Sequence, residues 1–294
     1  MSANKVYSEI VMDERRECTI VIVPIINEGL AIRIQQSEID FFTSRISSIR
    51  EREGNPEGVE MKRFGHATAY YIRNMPWGLF NAVKGITSDD IEHLEEIIDF
   101  YRVRERDFQI DVDPIHSSPQ LLHKCAELGL YQNGFHSVLY GLPSRELSLL
   151  PSNIRIVEVV DEQGFEQYAE IHCIGSGMSI DNKHHFVNNN IGLLNRSGWK
   201  IYMAFLNDVP AAVATMHVNN QTASLTLATT VPHFRQRGLQ TTLLHRRMNE
   251  AHHANCDLVV GQASFGSTSQ HNMEREGMHM AWTRAIWKPS TLNS

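Results

Sequence analysis

The sequence predicts an α/β protein, a central mixed β-sheet flanked by helices and laid out twice in tandem. Two observations carry this. The order helix, strand, helix, glycine, strand occurs in both halves of the 294 residues, the mark of a duplicated α/β unit. In the second half, consecutive strands joined by tight turns demand antiparallel pairing, and the helical crossovers after them bring in parallel neighbours.

In the first copy, Ser88 is placed to cap a helix whose apolar positions Ile91, Leu94, Ile98 and Tyr101 follow helical spacing. A strand with alternating Phe108, Ile110 and Val112 follows. Ser118 and Pro119 then open a second helix, Gly129 stops it, and the strand Phe135–Tyr140 closes the unit. The second copy starts with a strand, Ile154–Val160, and a helix that places Phe165, Ala169 and Cys173 on one face. Strands Lys200–Asn207, Ala211–Val218 and Ala223–Val231 come next, with turns at Asp208-Val209-Pro210 and Asn219-Asn220-Gln221. Helix Gln240–Ala254, strand Leu258–Gln262, helix Thr268–Glu276, the stop at Gly277 and strand Met280–Trp287 repeat the earlier order. Residues 143–152, bracketed by Pro143 and Pro151, read as a linker between domains at 1–142 and 153–294. Glu51–Glu60 reads as a surface loop, and the apolar run Cys18–Ile26 is strand-sized.

Composition narrows the function classes. Apolar residues make up 42% and charged residues 21%, as in a globular protein. The N-terminus carries no apolar signal region, and no stretch approaches the ~18 apolar residues of a membrane span. Four cysteines without a C-x-x-C pair give neither a disulfide scaffold nor zinc spacing, so the expectations are no metal and a cytoplasmic location. A formal net charge of −7 argues against nucleic acid as a partner.

The chemistry lies in one loop. A strand ends at Val231-Pro232, and the basic segment His233-Phe234-Arg235-Gln236-Arg237-Gly238 opens a helix with Leu239, Leu243, Leu244, Met248 and Ala251 as its apolar stripe. A helix start leaves backbone N–H groups unpaired at the positive end of the dipole, which suits a pyrophosphate. Gly238 permits close backbone approach, and Arg235 and Arg237 add positive charge.

Val231 to Leu244 resembles motif A of the GNAT N-acyltransferase superfamily, Gln/Arg-x-x-Gly-x-Gly/Ala after a Val-x-Pro strand end. Arg235, Gln236, Arg237, Gly238 and Leu239 match in place, whereas Gln240 stands where the family has glycine or alanine. The helix end Met273-Glu274-Arg275-Glu276-Gly277-Met278 is similar to the family's Tyr-Glu-Lys-x-Gly-Phe. The resemblance implies two GNAT-like domains in tandem and acetyl-CoA as co-substrate. It also implies acetyl transfer to a primary amine, small molecule or peptide, by direct attack in a ternary complex. Thr229, Thr230 and Val231 would hold the pantetheine arm, and Gln236 to Thr241, with Leu239 and Gln240, the pyrophosphate. The thioester would lie where strands Ser224–Val231 and Leu258–Ala263 splay apart, with an N–H near Val231 as oxyanion donor. The first half lacks motif A and has Asp89 and Asp90 at the matching helix start, so it reads as a degenerate domain. A homodimer is compatible with this arrangement.

Acid and base are less standard. Met273 occupies the position of the family's tyrosine acid; Ser269, His271 or water would replace it. No carboxylate occurs on Ser224–Val231, which leaves His217 as first choice of base, with His172 and His184–His185 behind it. With acid and carboxylate both absent, a non-catalytic acetyl-CoA-binding regulatory module is the competing reading. His252, His253 and Cys256 form at most half a metal site, and Trp77 is a candidate contact across the domain interface.

Overall fold

The computed structural model describes residues 9–11, 19–21, 23–75, 80–144 and 151–290. Trp77 and part of the expected linker lie outside them. A short antiparallel pair, β1 (Glu9–Val11) and β2 (Thr19–Val21), stands apart from the main sheet. The apolar run to Ile26 is therefore strand only in part, and Asn27 accepts from the Leu30 N–H to cap α1 (Glu28–Arg50). Residues 52–58 form turns leading into the hairpin β3 (Val59–Phe64) and β4 (Ala67–Ile72), and β5 (Ala82–Lys84) follows.

Thr87, not Ser88, caps the next helical turn at Ser88–His93: its hydroxyl accepts from Asp89 N–H, and Asp90 reaches back to the Thr87 N–H. The helix continues as α2 (Leu94–Arg102), its buried stripe being Leu94, Ile97, Phe100 and Tyr101. Then come β6 (Gln109–Val112), α3 (Pro119–Glu127, capped by Ser118) and β7 (Leu130–Gly141). The second half contains β8 (Ile154–Glu158), α4 (Glu162–Gly175), α5 (Lys183–Asn188), β9 (Trp199–Leu206), β10 (Val209–Asn219) and β11 (Thr222–Thr230). It ends with α6 (Leu239–His253), β12 (Leu258–Ser264), α7 (Thr268–Arg275) and β13 (His279–Pro289).

Eleven strands form one mixed sheet in the order β3-β4-β5-β6-β13-β7-β12-β11-β10-β9-β8. The halves exchange their last strands. β13 pairs with β6 along Ala285–Trp287, and β7 pairs with β12 along Ser264–Val259, while β7 and β13 pair with each other between them. Both parallel pairings, β5 with β6 and β11 with β12, precede a helix-bearing gap, one in each half.

Alternation along the strands sets two core layers. Val213, Ile201, Met203, Tyr70 and Ile72 face α1 and α4, packing on Phe41, Phe42, Ile46, Phe165 and Tyr168. Ala212, Ala214, Met216, Tyr202 and Ala204 face α6, packing on Leu239, Leu243, Leu244 and Met248. On that second face α2 and α3 cover Val83, Ile110 and Val112. α1 also lies over the exchanged strands, with Ala31 and Ile34 against Val138, Tyr140, Val260 and Trp282.

Candidate acyl-donor cleft

The parallel pairing of β11 and β12 ends at Leu225 and Gly261. Past that point the strands part, because β11 bulges. Val213 and Thr215 of β10 face Thr229 and Thr226, so Leu227 and Ala228 have no register partner there, and Leu227 has φ +48°. A cleft of about 940 Å³ opens between the strands and under α6 and α7. Its walls include the bulge, the loop before α6, and the first turns of both helices.

Gly238 is the N-cap residue just before α6, with φ +78°, and a Cβ there would meet nothing within 4 Å. The first helical bond closes from Thr242 N–H to Gly238 O, so the amides of Leu239, Gln240 and Thr241 precede it, and no side chain caps the helix. Gln236 also has positive φ, +61°. Two residues with positive φ thus flank Arg237 directly before the helix start.

Of the residues expected at this site, Thr229, Thr230, Arg235, Gln236, Gly238, Leu239, Gln240, Thr241 and Ser269 line the cleft, and Val231 and Arg237 do not. The Val231 N–H donates to Ala211 O over 3.0 Å and is spent in the sheet, so it is not free to be the expected oxyanion donor. Arg237 is exposed with its guanidinium 5.9 Å from the centre of the Phe234 ring. Arg235 reaches across to α4, donating through Nη2 to Gly175 O over 3.0 Å and through Nε to Thr230 O over 3.3 Å. Gly175 abuts Thr229, where an added Cβ would sit 2.6 Å from the hydroxyl. The end of α4 is thus clamped on the strand that would hold the pantetheine arm.

His217 is not brought to the cleft. It sits five register steps beyond Ala212 on β10, opposite Ser224, which places it roughly 16 Å along the strand from the loop. Its ring packs 4.9 Å from Trp199, and burial pulls it down to about 4. His184 and His185 are exposed on α5, and His271 is exposed on α7. Cys256 is buried whereas His253 is exposed, and among the described residues these side chains do not come together as a metal-binding group. The histidine that lines the cleft is His172 of α4, stacked 4.3 Å from Phe186; burial, then the Arg45 charge, lowers it to about 3. Sequence spacing put His172 on its helix but carried no signal of which strand that helix face would meet. Met273 lines the cleft, and its sulfur occupies the space that a side chain at Gly261 would take, 2.6 Å from the added Cβ.

The matching place in the first half is filled. Pairing of β5 with β6 ends at Val83 and Ile110, and the next residues, Lys84 and Asp111, join as an ion pair. Lys84 Nζ also donates to Glu38 Oε1 over 2.7 Å, Arg284 pairs with Glu38, and Arg284 Nε donates to Asp113 Oδ1 over 2.8 Å. These side chains are all buried. The chain runs from Lys84 to Ser88 through Gly85-Ile86-Thr87, with no room for a basic loop, and Asp89 and Asp90 occupy the helix start.

No family model matches the chain, and no curated protein matches it in sequence. Its fold is similar to solved structures. An N-acetyltransferase of the GNAT family from Kribbella flavida is 13% identical, with TM-score 0.65 over 89% of this chain and 96% of that one. One from Sphaerobacter thermophilus is 13% identical, with TM-score 0.55 over 91% and 94%. A tandem GNAT protein of the clavulanic acid biosynthesis pathway is 11% identical, with TM-score 0.57 over 89% and 93%. The strand order, the bulged and splayed junction and these likenesses agree: this chain has the tandem GNAT fold.

Proposed function

We propose that the chain is an acetyl-CoA-dependent N-acetyltransferase whose donor site is the second-half cleft. The observation that carries this is the uncapped start of α6 beside the splayed strands, with open space over Gly238. Free amides at a helix start suit a pyrophosphate, and hydrogen bonds to charged groups contribute roughly 1.5–3 kcal/mol each. Residues 236–241 would hold the phosphates, and the edge of β11 at Thr229 and Thr230 would run beside the pantetheine arm. The fit is supported by Gln262, whose buried Nε2 lacks a partner and lines the same cleft.

Acetyl-CoA supplies an activated acyl group. The chain's own part is to orient that carbonyl under the bulge at Leu227 and Ala228, whose backbone is free of β10, and to exclude water with α4 and α7. A neutral primary amine then attacks the carbonyl carbon, the C–S bond breaks, and the thiolate leaves. A thiol with pKa ~8.5 departs near neutrality without an acid, so Met273 in place of tyrosine does not prevent turnover. Lowered by burial, His172 stays neutral and orients the amine rather than taking its proton, which passes to water.

That no Asp or Glu among the described residues lines the cleft favours a second reading, a module that binds acetyl-CoA without turnover. Calorimetry with acetyl-CoA, followed by thiol release in the presence of a panel of primary amines, separates the two. Binding with amine-dependent release is expected. Binding without release supports the regulatory module, and no binding overturns both.

A further inference from the structure

Two arginines are buried beside the cleft without an acidic partner among the described residues. Arg45 of α1 is 7% exposed and Arg247 of α6 is 4% exposed. Arg45 donates through Nε to Asn190 Oδ1 over 2.9 Å and lies 4.7 Å from the centre of the Phe80 ring. Arg247 donates to the carbonyls of Leu243 and Thr215, each over 3.1 Å. Burial lowers both to about 10, so they remain cationic at neutral pH, and no carboxylate among the described residues acts on either.

The polar atoms around them are unanswered as well. Tyr168 Oη and His172 Nδ1 on α4, and Gln262 Nε2 on β12, are buried with no hydrogen-bond partner among the described residues. Both guanidiniums act on the Tyr168 hydroxyl, and Arg45 also acts on His172. Arg247, His172 and Gln262 all line the cleft. A buried cation without a counter-charge is costly, and native cores avoid it unless a ligand completes the set.

The first half supplies an internal comparison. There the buried cations Lys84 and Arg284 are met by Glu38, Asp111 and Asp113. Asp111 directly follows the last residue of β6 paired with β5, as Gln262 follows the last residue of β12 paired with β11. One junction has a carboxylate of its own at that position, and the other has an amide. Arg247 also lies about two and a half turns along α6 from Gly238, roughly 13 Å at 1.5 Å per residue, too far for the pyrophosphate seat.

We infer that the inner end of the cleft binds a carboxylate of the substrate, received by Arg247 and Arg45 with Tyr168 and Gln262 donating beside them. This deepens the acyltransferase reading and rests on it. Two sources carry the required chemistry: a dicarboxylic acyl group on CoA, or the acceptor amine's own carboxylate, as in an amino acid. Either would form charge-assisted hydrogen bonds in a site shielded from water.

The test uses the full chain in two arms. The first compares succinyl-CoA with acetyl-CoA by calorimetry. The second compares α-amino acids with their carboxamides as acceptors in the presence of acetyl-CoA. In one arm the carboxylate form is expected to be preferred about tenfold or more, and Arg247→Met or Arg45→Met brings that ratio close to unity. Arg247→Lys, which keeps the charge but loses the planar fork, lowers it in part, and decides the matter should the Met variants fail to fold. Acetyl-CoA binding with no carboxylate preference in either arm, or a preference that Arg247→Lys leaves unchanged, overturns the inference while leaving the donor site intact. Failure of the wild type to bind any CoA thioester overturns both.

Discussion

Gln240 Nε2 donates to the Thr230 hydroxyl over 2.9 Å and so ties the first turn of α6 to the last residue of β11. Glycine or alanine at this position, as in the motif the loop resembles, makes no such tie. In the acyltransferase reading, the side chain competes with the pantetheine arm for the edge of β11. Gln240→Ala is expected to bind acetyl-CoA several-fold more tightly and to lose roughly 1 kcal/mol of stability with the hydrogen bond. Calorimetry and thermal melts check both. Weaker binding would mean that the Gln240 amide is itself a ligand contact.

Gly238→Asp is expected to abolish acetyl-CoA binding without unfolding the chain. The position has φ +78° and open space for a side chain, so strain is confined to about 1 kcal/mol, which aspartate tolerates better than most residues. Its carboxylate would stand where the phosphates sit. The first half, whose gap is filled by Lys84, Asp111, Glu38 and Arg284, offers no second seat. Titration of the wild type should saturate at about one acetyl-CoA per chain, and the variant should show none. A stoichiometry of two would place a site beside Thr87.

The exchange of β7 and β13 makes the halves dependent on each other. A fragment of residues 151–294 lacks β6 and β7, leaving β13 without either neighbour and β12 with an open edge. Expressed alone, it should aggregate or lack a cooperative melt. Expressed with residues 1–150, it should be recovered as a complex. A soluble, cooperatively folded fragment would show that the exchanged pairing adds little.

Stability should fall as pH falls from about 6.5. His172 is lowered to about 3 and His217 to about 4, both chiefly by burial. Within that window the unfolded chain binds protons that the folded chain excludes, so each histidine steepens the loss by at most ~1.4 kcal/mol per pH unit. Glu38, held well below its ordinary value by Arg284 and Lys84 against the cost of burial, adds a loss in the same direction below its usual range. Urea midpoints near pH ~7.5 and ~5.5 measure the slope, and His217→Phe should reduce it. An unchanged slope would place the His217 ring in contact with water.

Sequence alone determined the local features. The loop before α6 was legible because its pattern is local: a strand end, a left-handed glycine and an amphipathic helix start lie within a few residues, and the stripe Leu239, Leu243, Leu244, Met248 and Ala251 is buried as the spacing predicts. The repeated order of elements was legible for the same reason. Tertiary structure alone decided the rest. Alternation marks β7 and β13 as strands but says nothing of their partners, which lie far away in the chain, so the strand exchange left no sequence signal. α1 went unread because its buried face mixes the polar residues Gln35, Ser37, Glu38, Arg45 and Ser48 with Ala31, Ile34, Phe41, Phe42, Ile46 and Ile49, which blurs the apolar stripe. His217 and His172 illustrate the same limit. Each lies on an element the sequence located, but only the assembled sheet and the packing of α4 on it bring His172 to the cleft and leave His217 outside it, opposite Ser224.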